Sequence, residues 1–342
     1  MRNRIILDVR DLQVSFKVYG GKLQVLDGVN LSVAQGERVG LVGEAGCGKT
    51  TTLKSIMRIL PRQAMLEGGE IRFHDQDVLS MSERNLQSFR RQGCAMVFQD
   101  PTAALNPVFS VGEQLMAGLR AALNGNSGKV AMEVLRARAR RAVSEVSLPD
   151  AARIMHNYPF QLSGGMRQRV CISMAIASQR EILLADEPGT SLDVTIQDQI
   201  LRLIGGLVTD KGLAVILVTH SLGVVSEMTD YVYIMYAGTI VEGGNTAEIL
   251  SHPLHPYTTA LLQCVPKLTG EGFAQGIPGR IPDYLNPPQG CRFSTRCPEV
   301  TERCRSMKPA FLEVLPGHQV ACHQRPGGRP ATGPRQVSHH AE

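Results

Sequence analysis

Residues 38–51 read RVGLVGEAGCGKTT: a short apolar run, Arg38–Val42, breaks into Gly43–Thr51, which meets the spacing G-x-x-x-x-G-K-[ST] through Gly43, Gly48, Lys49 and Thr50. The run predicts a buried strand, and the residues after it predict a helix. Glycines let backbone N–H groups close around phosphate oxygens, and the helix would direct its positive end at the same anion. Lys49 is expected to reach the β- and γ-phosphates and the Thr50 hydroxyl to ligate Mg²⁺, with Glu44, Ala45, Gly46, Cys47 and Thr51 completing the loop. Only the backbone of Cys47 need touch phosphate, so its thiol is read as a harmless substitution rather than a redox device. A chance glycine-rich turn is the competing reading, disfavoured by the strand before it and the helix after it.

Two further apolar runs, Ile182–Ala185 (ILLA) and Val215–Val218 (VILV), have the length of central strands. The first runs into Asp186, Glu187 and Pro188, which sets two adjacent carboxylates where open α/β sheets bind ligands. Adjacency divides their work: Asp186 is assigned to Mg²⁺ and Glu187 to the general base that takes a proton from attacking water. Upstream, LSGGMRQR at Leu162–Arg169 precedes a long helical pattern. Ser163, Gly164 and Gly165 thus offer a second anion-binding helix start, and one chain carries two. Between Asp100 and Leu162 the periodicity is helical, and its basic stretch, Leu135–Arg141, reads as a solvated face. The segment YVYIMYAGTIVEGG predicts a hairpin turning near Ala237 and Gly238.

The chain has 342 residues, 43% apolar and 20% charged, with a formal charge of +5, as expected of a globular protein that meets anions. The strongest apolar run, Leu213–Val218, falls far short of the roughly 18–20 residues of a membrane-spanning helix. The first ten residues hold no signal-peptide core, so a cytosolic chain is expected. Eight cysteines in such a chain point to packing or metal ligation rather than disulfides.

Gly43–Thr51, Gln99 in MVFQDP, LSGGMRQR, ILLADEP, the Ser191–Leu192–Asp193 turn and His220 in VILVTH occur in the order that resembles an ABC transporter nucleotide-binding domain. The resemblance implies an α/β P-loop NTPase with an N-terminal antiparallel β region, a helical subdomain over about 100–165, and a small cysteine-containing C-terminal extension. It divides the chain into 1–250, 251–324 and a structureless tail, 325–342. It also implies a head-to-tail dimer in which the Gly43–Thr51 loop of one subunit and Ser163–Gly165 of the other enclose each ATP, with Asp193 at the dimer contact. Gln99 would sense Mg²⁺ and the γ-phosphate, and His220 would help fix the attacking water. Tyr19 takes the place of the family's adenine-stacking aromatic, with Phe16 as the competitor. QDPTAALNPVFSVGEQL, YPFQLSGGMRQRV and HPLHPYTTALL resemble, more narrowly, the ATPase subunits of the oligopeptide, dipeptide and nickel permease group. The implied partners are a related ATPase subunit (or a second copy of this chain), two integral-membrane permease subunits and, indirectly, an extracytoplasmic solute-binding protein. The chain would sit at the cytoplasmic face of the inner membrane. A non-transport ABC ATPase acting on nucleic acid is the alternative; against it stand a single set of ATPase motifs and the lack of interleaved aromatic and basic residues.

Cys291, Cys297, Cys304 and Cys322 cluster at spacings C-x5-C, C-x6-C and C-x17-C, which lack the C-x2-C knuckles usual for structural zinc. Clustering implies a shared ligand, and the permease-group resemblance implies a [4Fe–4S] cluster. Zinc, with His318 or His323 as a further ligand, is the other metal reading, and ordinary reduced thiols are the bland one.

Overall fold

The computed structural model describes residues 4–123, 130–178, 180–190, 192–265, 276–325 and 327–330. Contacts gather into two compact units, residues 1–80 with 218–342, and residues 81–217. The first unit opens with β1 (Ile5–Val18) and β2 (Gly21–Ala34), antiparallel, with Val9 opposite Leu31 and Leu12 opposite Val29. Leu7, Val9, Leu12 and Val14 are buried while Asp11 and Lys17 face solvent, so side-chain alternation sets the register. After β3 (Arg38–Val42) and α1 (Lys49–Ile56), β4 (Ala64–Phe73) and β5 (Gln76–Asp77) complete a four-stranded sheet of order β2-β1-β4-β5.

The second unit runs through α2 (Glu83–Ser88), β6 (Cys94–Val97), α3 (Pro101–Ala104), α4 (Val111–Leu123), α5 (Met132–Glu145), α6 (Ala151–His156), α7 (Gly164–Ile176), β7 (Ile182–Asp186) and α8 (Val194–Lys211). It ends within β8 (Ala214–Thr219). The strands follow the order β8-β7-β6, with β6 and β7 parallel. On α5, Leu135, Ala139, Ala142 and Val143 are buried and Arg136, Arg138, Arg140 and Arg141 are exposed, the solvated basic face that the sequence predicts.

Returning to the first unit, the chain forms α9 (Leu222–Met228), β9 (Tyr231–Tyr236), β10 (Thr239–Asn245), α10 (Thr246–Ser251), α11 (Pro256–Gln263), α12 (Glu302–Ser306), β11 (Leu312–Leu315), β12 (His318–Val320) and β13 (Arg329–Pro330). Strand order is β13-β11-β12-β10-β9-β3, and β3 lies parallel to β9. The hairpin of β9 and β10 turns at Ala237 and Gly238, with φ of 43° and 83°, the backbone twist that suits a two-residue turn. Residues 251–330, set apart by sequence, share this unit with the strands before residue 80. Tyr236, Tyr257 and Phe293 meet at centroid distances of 4.6, 5.0 and 5.4 Å and bind β9, α11 and the cysteine segment into one core. Part of the tail expected to lack structure is ordered: Arg325 pairs with Glu299 and β13 adds to β11, while 331–342 lie outside the described residues. Among the described residues, no helix is long and apolar enough to cross a membrane.

One buried histidine makes stability depend on pH. His255 caps α11 by accepting the Tyr257 N–H at Nδ1, and burial lowers its pKa to about 4 from an ordinary 6.5, the nearby Glu242 carboxylate only partly opposing this. Between those values the unfolded chain binds the proton and the folded chain does not, so stability is whole above pH 6.5 and falls as pH drops toward 4. Urea unfolding at pH 7.5 and 5.0 should find the protein losing about 2 kcal/mol more than its His255→Asn variant, which keeps a capping acceptor. Equal losses would remove His255 from the account.

Candidate functional site

In the first unit, β3 delivers the chain to Gly43, where a Cβ would lie 2.0 Å from the Met235 carbonyl oxygen. Backbone lies against backbone here, so only glycine fits. Gly48 takes φ 112° as the N-cap of α1, and having no side chain it makes no capping hydrogen bond to the helix's first turn. Lys49, 5% exposed, folds back so that Nζ donates to the carbonyl oxygens of Gly43 (2.7 Å) and Glu44 (3.0 Å). Nζ also lies 3.8 Å from Cys47 Sγ, and a buried ammonium held by such neutral acceptors can exchange them for a stronger, anionic one. The Cys47 thiol is buried and its pKa is raised by burial, which the neighbouring Lys49 charge only partly offsets, so it lacks the thiolate character of a reactive cysteine. Thr50 and Thr51 follow in the first turn of α1, half-buried. Tyr19 stands fully exposed at the tip of the β1–β2 hairpin, whereas Phe16 is half-buried. His220 is exposed between β8 and α9, and the next residue, Ser221, caps α9 through the Val224 N–H.

The loop has partners that sequence reasoning did not name. The Glu44 N–H donates to Tyr257 Oη at 3.0 Å, and the Glu44 carboxylate takes a two-pronged ion pair from Arg296, Nη1 at 2.8 Å and Nη2 at 3.2 Å. Burial works against the Arg296 charge, but hydrogen bonds with Glu44 and Tyr236 outweigh it and raise the guanidinium pKa. Tyr284 Oη donates to the Gly46 carbonyl at 2.9 Å. Glu44, expected in the nucleotide shell, therefore spends its N–H and carboxylate on the C-terminal region. A lone tyrosine within the proline-rich IPDYLNPPQG was the available signal.

In the second unit, the buried strand β7 ends on Asp186, itself 3% exposed, and Glu187 follows with φ 44°. A non-glycine residue in the left-handed region is uncommon, and here the strain aims a carboxylate off the strand end. Gln99 Nε2 donates to Glu187 Oε2 at 3.4 Å, so the fold brings together two residues that sequence separates by 88 positions. Ser163 caps α7, its Oγ accepting the Met166 N–H at 3.3 Å. Cβ atoms on Gly164 and Gly165 would lie 3.1 Å from Leu192 and 2.8 Å from Ile196, so these glycines also allow close packing. Asp193 caps α8 through the Ile196 N–H, a local role the sequence reading did not foresee, and Ser191 of the same turn lies outside the described residues.

Burial lifts the Cys291 thiol to about 11 and raises Cys297 and Cys322, with smaller contributions from neighbouring thiols, Cys304 among them in each case. Cys304 Sγ lies 3.2 Å from the Thr301 hydroxyl, and the Cys291 N–H donates to the Cys304 carbonyl oxygen. Among the described residues, no three His, Cys, Asp or Glu side chains form a group that could hold a metal ion. The expectation of a four-thiolate cluster, or of zinc with His318 or His323, is therefore unsupported by this geometry. His318 instead pairs with buried Glu242 at 2.7 Å, and His323 Nε2 lies 2.8 Å from the Met307 carbonyl oxygen.

The family described as ABC transporter matches residues 26–190, and the oligopeptide/dipeptide transporter C-terminal region matches residues 241–304. The chain is 43% identical, over 93% of its length and 94% of the relative's, to a probable peptide ABC transporter ATP-binding protein of Sinorhizobium fredii. It is 40% identical over 93% of its length to a probable D,D-dipeptide transport ATP-binding protein of Escherichia coli, 96% of which is covered. Among solved structures, a dimeric ATP-binding cassette in a post-hydrolysis state, bound to ADP and phosphate, superposes with a TM-score of 0.62 at 26% identity, over 70% of this chain and 98% of that one.

Proposed function

The chain belongs to the ABC transporter ATP-binding protein family, in the branch that carries the oligopeptide/dipeptide C-terminal region, and from that premise we propose that it hydrolyses ATP to energise uptake of di- or oligopeptides, or a related small solute, through separate membrane subunits. The observation that carries this reading is the pair of helix starts suited to phosphate, Gly48–Lys49 on α1 and Ser163–Gly165 on α7, in a single chain. Two such chains meeting head to tail would each supply one start to the same triphosphate.

In this reading Lys49 and the backbone of Gly43–Thr51 bind the phosphates and Tyr19 stacks on adenine. Glu187 accepts the proton of the attacking water, His220 orients that water, and Asp193 meets the partner subunit. The donors assigned to Mg²⁺, the Thr50 hydroxyl, the Gln99 amide oxygen and the Asp186 carboxylate, are all hard oxygens. That set fits an ion which keeps several waters and uses few protein ligands. When bound, the ion would offset phosphate charge. The second ATPase subunit is a related chain, with a second copy of this one as the other arrangement. Exposed Val108, Phe109 and Phe160 in the second unit support docking of a permease subunit there. Affinity purification of the full chain from membranes tests the whole: integral-membrane subunits and MgATP-dependent turnover are expected. Salt-sensitive retention of nucleic acid without membrane subunits would sink it.

The finer reading of the cysteine segment, a [4Fe–4S] cluster on Cys291, Cys297, Cys304 and Cys322 with zinc as the other candidate, rests on their clustering in sequence and on the permease-group resemblance. Anaerobically purified protein should then be brown, with stoichiometric iron and sulfide. Colourless protein with zinc would select the other metal, and protein with neither would leave four structural thiols.

A further inference from the structure

We propose that Tyr284 and Arg296 are positioning residues for the nucleotide, holding the Gly43–Thr51 loop and the Tyr19 hairpin in one arrangement, so that affinity for ATP depends on side chains far along the sequence. The inference rests on reading that loop as the ATP site. Tyr284 touches both parts. Its hydroxyl donates to the Gly46 carbonyl, 238 residues earlier, and its own carbonyl accepts the Gln24 N–H of β2 at 2.8 Å. The next side chain, Leu285, crowds the hairpin tip, since a Cβ on Gly21 would come within 2.6 Å of its Cδ1. Tyr19 stands two residues from that contact.

The consequence for the loop follows from peptide planarity. Fixing the direction of the Gly46 carbonyl turns the Cys47 N–H to the opposite side, where it donates to the Glu44 carbonyl oxygen at 3.3 Å. Arg296 fixes the other end of the same turn through the Glu44 carboxylate, and is itself held by the carbonyl oxygens of Pro278 and Ile277, each at 2.9 Å. Bidentate geometry restrains direction as well as distance. A segment containing Gly43, Gly46 and Gly48 is intrinsically permissive, and every residue that binding must order subtracts from affinity. External ties remove that cost beforehand. Neither side chain belongs to the phosphate-contacting motifs, so each acts through the loop and not on the reacting atoms.

The test uses the full chain with MgATP. Tyr284→Phe deletes one hydroxyl and keeps the ring beneath the Arg292 guanidinium, 5.9 Å from its centroid; Arg296→Lys keeps the charge and loses the fork. Each should raise the Kd for ATP about five- to tenfold, leaving kcat at saturation within about twofold and the unfolding midpoint unchanged. Glu44→Gln combined with Arg296→Lys should cost no more than either alone, because both break one tie. Unchanged Kd in both single variants overturns the proposal, as does an affinity loss matched by a lowered unfolding midpoint, which would make the ties merely structural. A parent chain that binds no ATP would refute the underlying reading instead.

Discussion

Glu187→Gln should cut steady-state ATP turnover by about 100-fold or more while leaving ATP binding intact. Glutamine keeps the length and one oxygen of glutamate, so the contact with Gln99 at 3.4 Å has a partner of the same shape. It can also take the same left-handed backbone, for which it carries no β-branch. What disappears is the proton acceptor. Binding is measured by equilibrium titration with MgATP and turnover by phosphate release from the same preparation. Turnover within about threefold of the parent would take the base role away from Glu187.

Lys49→Ala should weaken ATP binding by about 100-fold, since charge-assisted hydrogen bonds in a buried setting contribute more than neutral ones. Lys49 is 5% exposed and its ammonium already sits among the loop's carbonyl groups, so solvent does little to screen it from an arriving phosphate. Because the same ammonium satisfies the Gly43 and Glu44 carbonyls, part of the loss would come from a loosened loop. Lys49→Met separates these contributions: it fills the space without charge, and should bind ATP as poorly as alanine. Affinity close to the parent's in either variant would mean that the loop is not where the triphosphate sits.

Sequence was most informative where function depends on neighbouring residues. The strand Arg38–Val42 begins and ends where its apolar run does, and the loop glycines and the Ser163 cap follow from local backbone demands. What it did not disclose are partnerships closed over long stretches of chain. Glu44 looked like a phosphate-loop residue because position in the motif says so, yet its carboxylate belongs to Arg296, 252 residues away. Asp193 looked like a dimer residue and also serves as a helix cap. The cysteines differ again: nearness in sequence implies a common ligand, while the fold shows burial and a Cys304–Thr301 contact and no group of three metal-holding side chains among the described residues.

The first unit is assembled from the two ends of the chain, and this bears on its biosynthesis. When β3 leaves the ribosome, its neighbour β9 has not been made: the Arg38 N–H must wait for the Asp230 carboxylate, 192 residues later. Residues 81–217 form a compact unit inserted between the two segments of the first, so they emerge before its partner segment does. The signature that identifies the ATP loop is thus translated well before its buttress, Tyr284 following Gly46 by 238 residues. A nascent chain could brace that loop only once both partner side chains had followed it out of the ribosome.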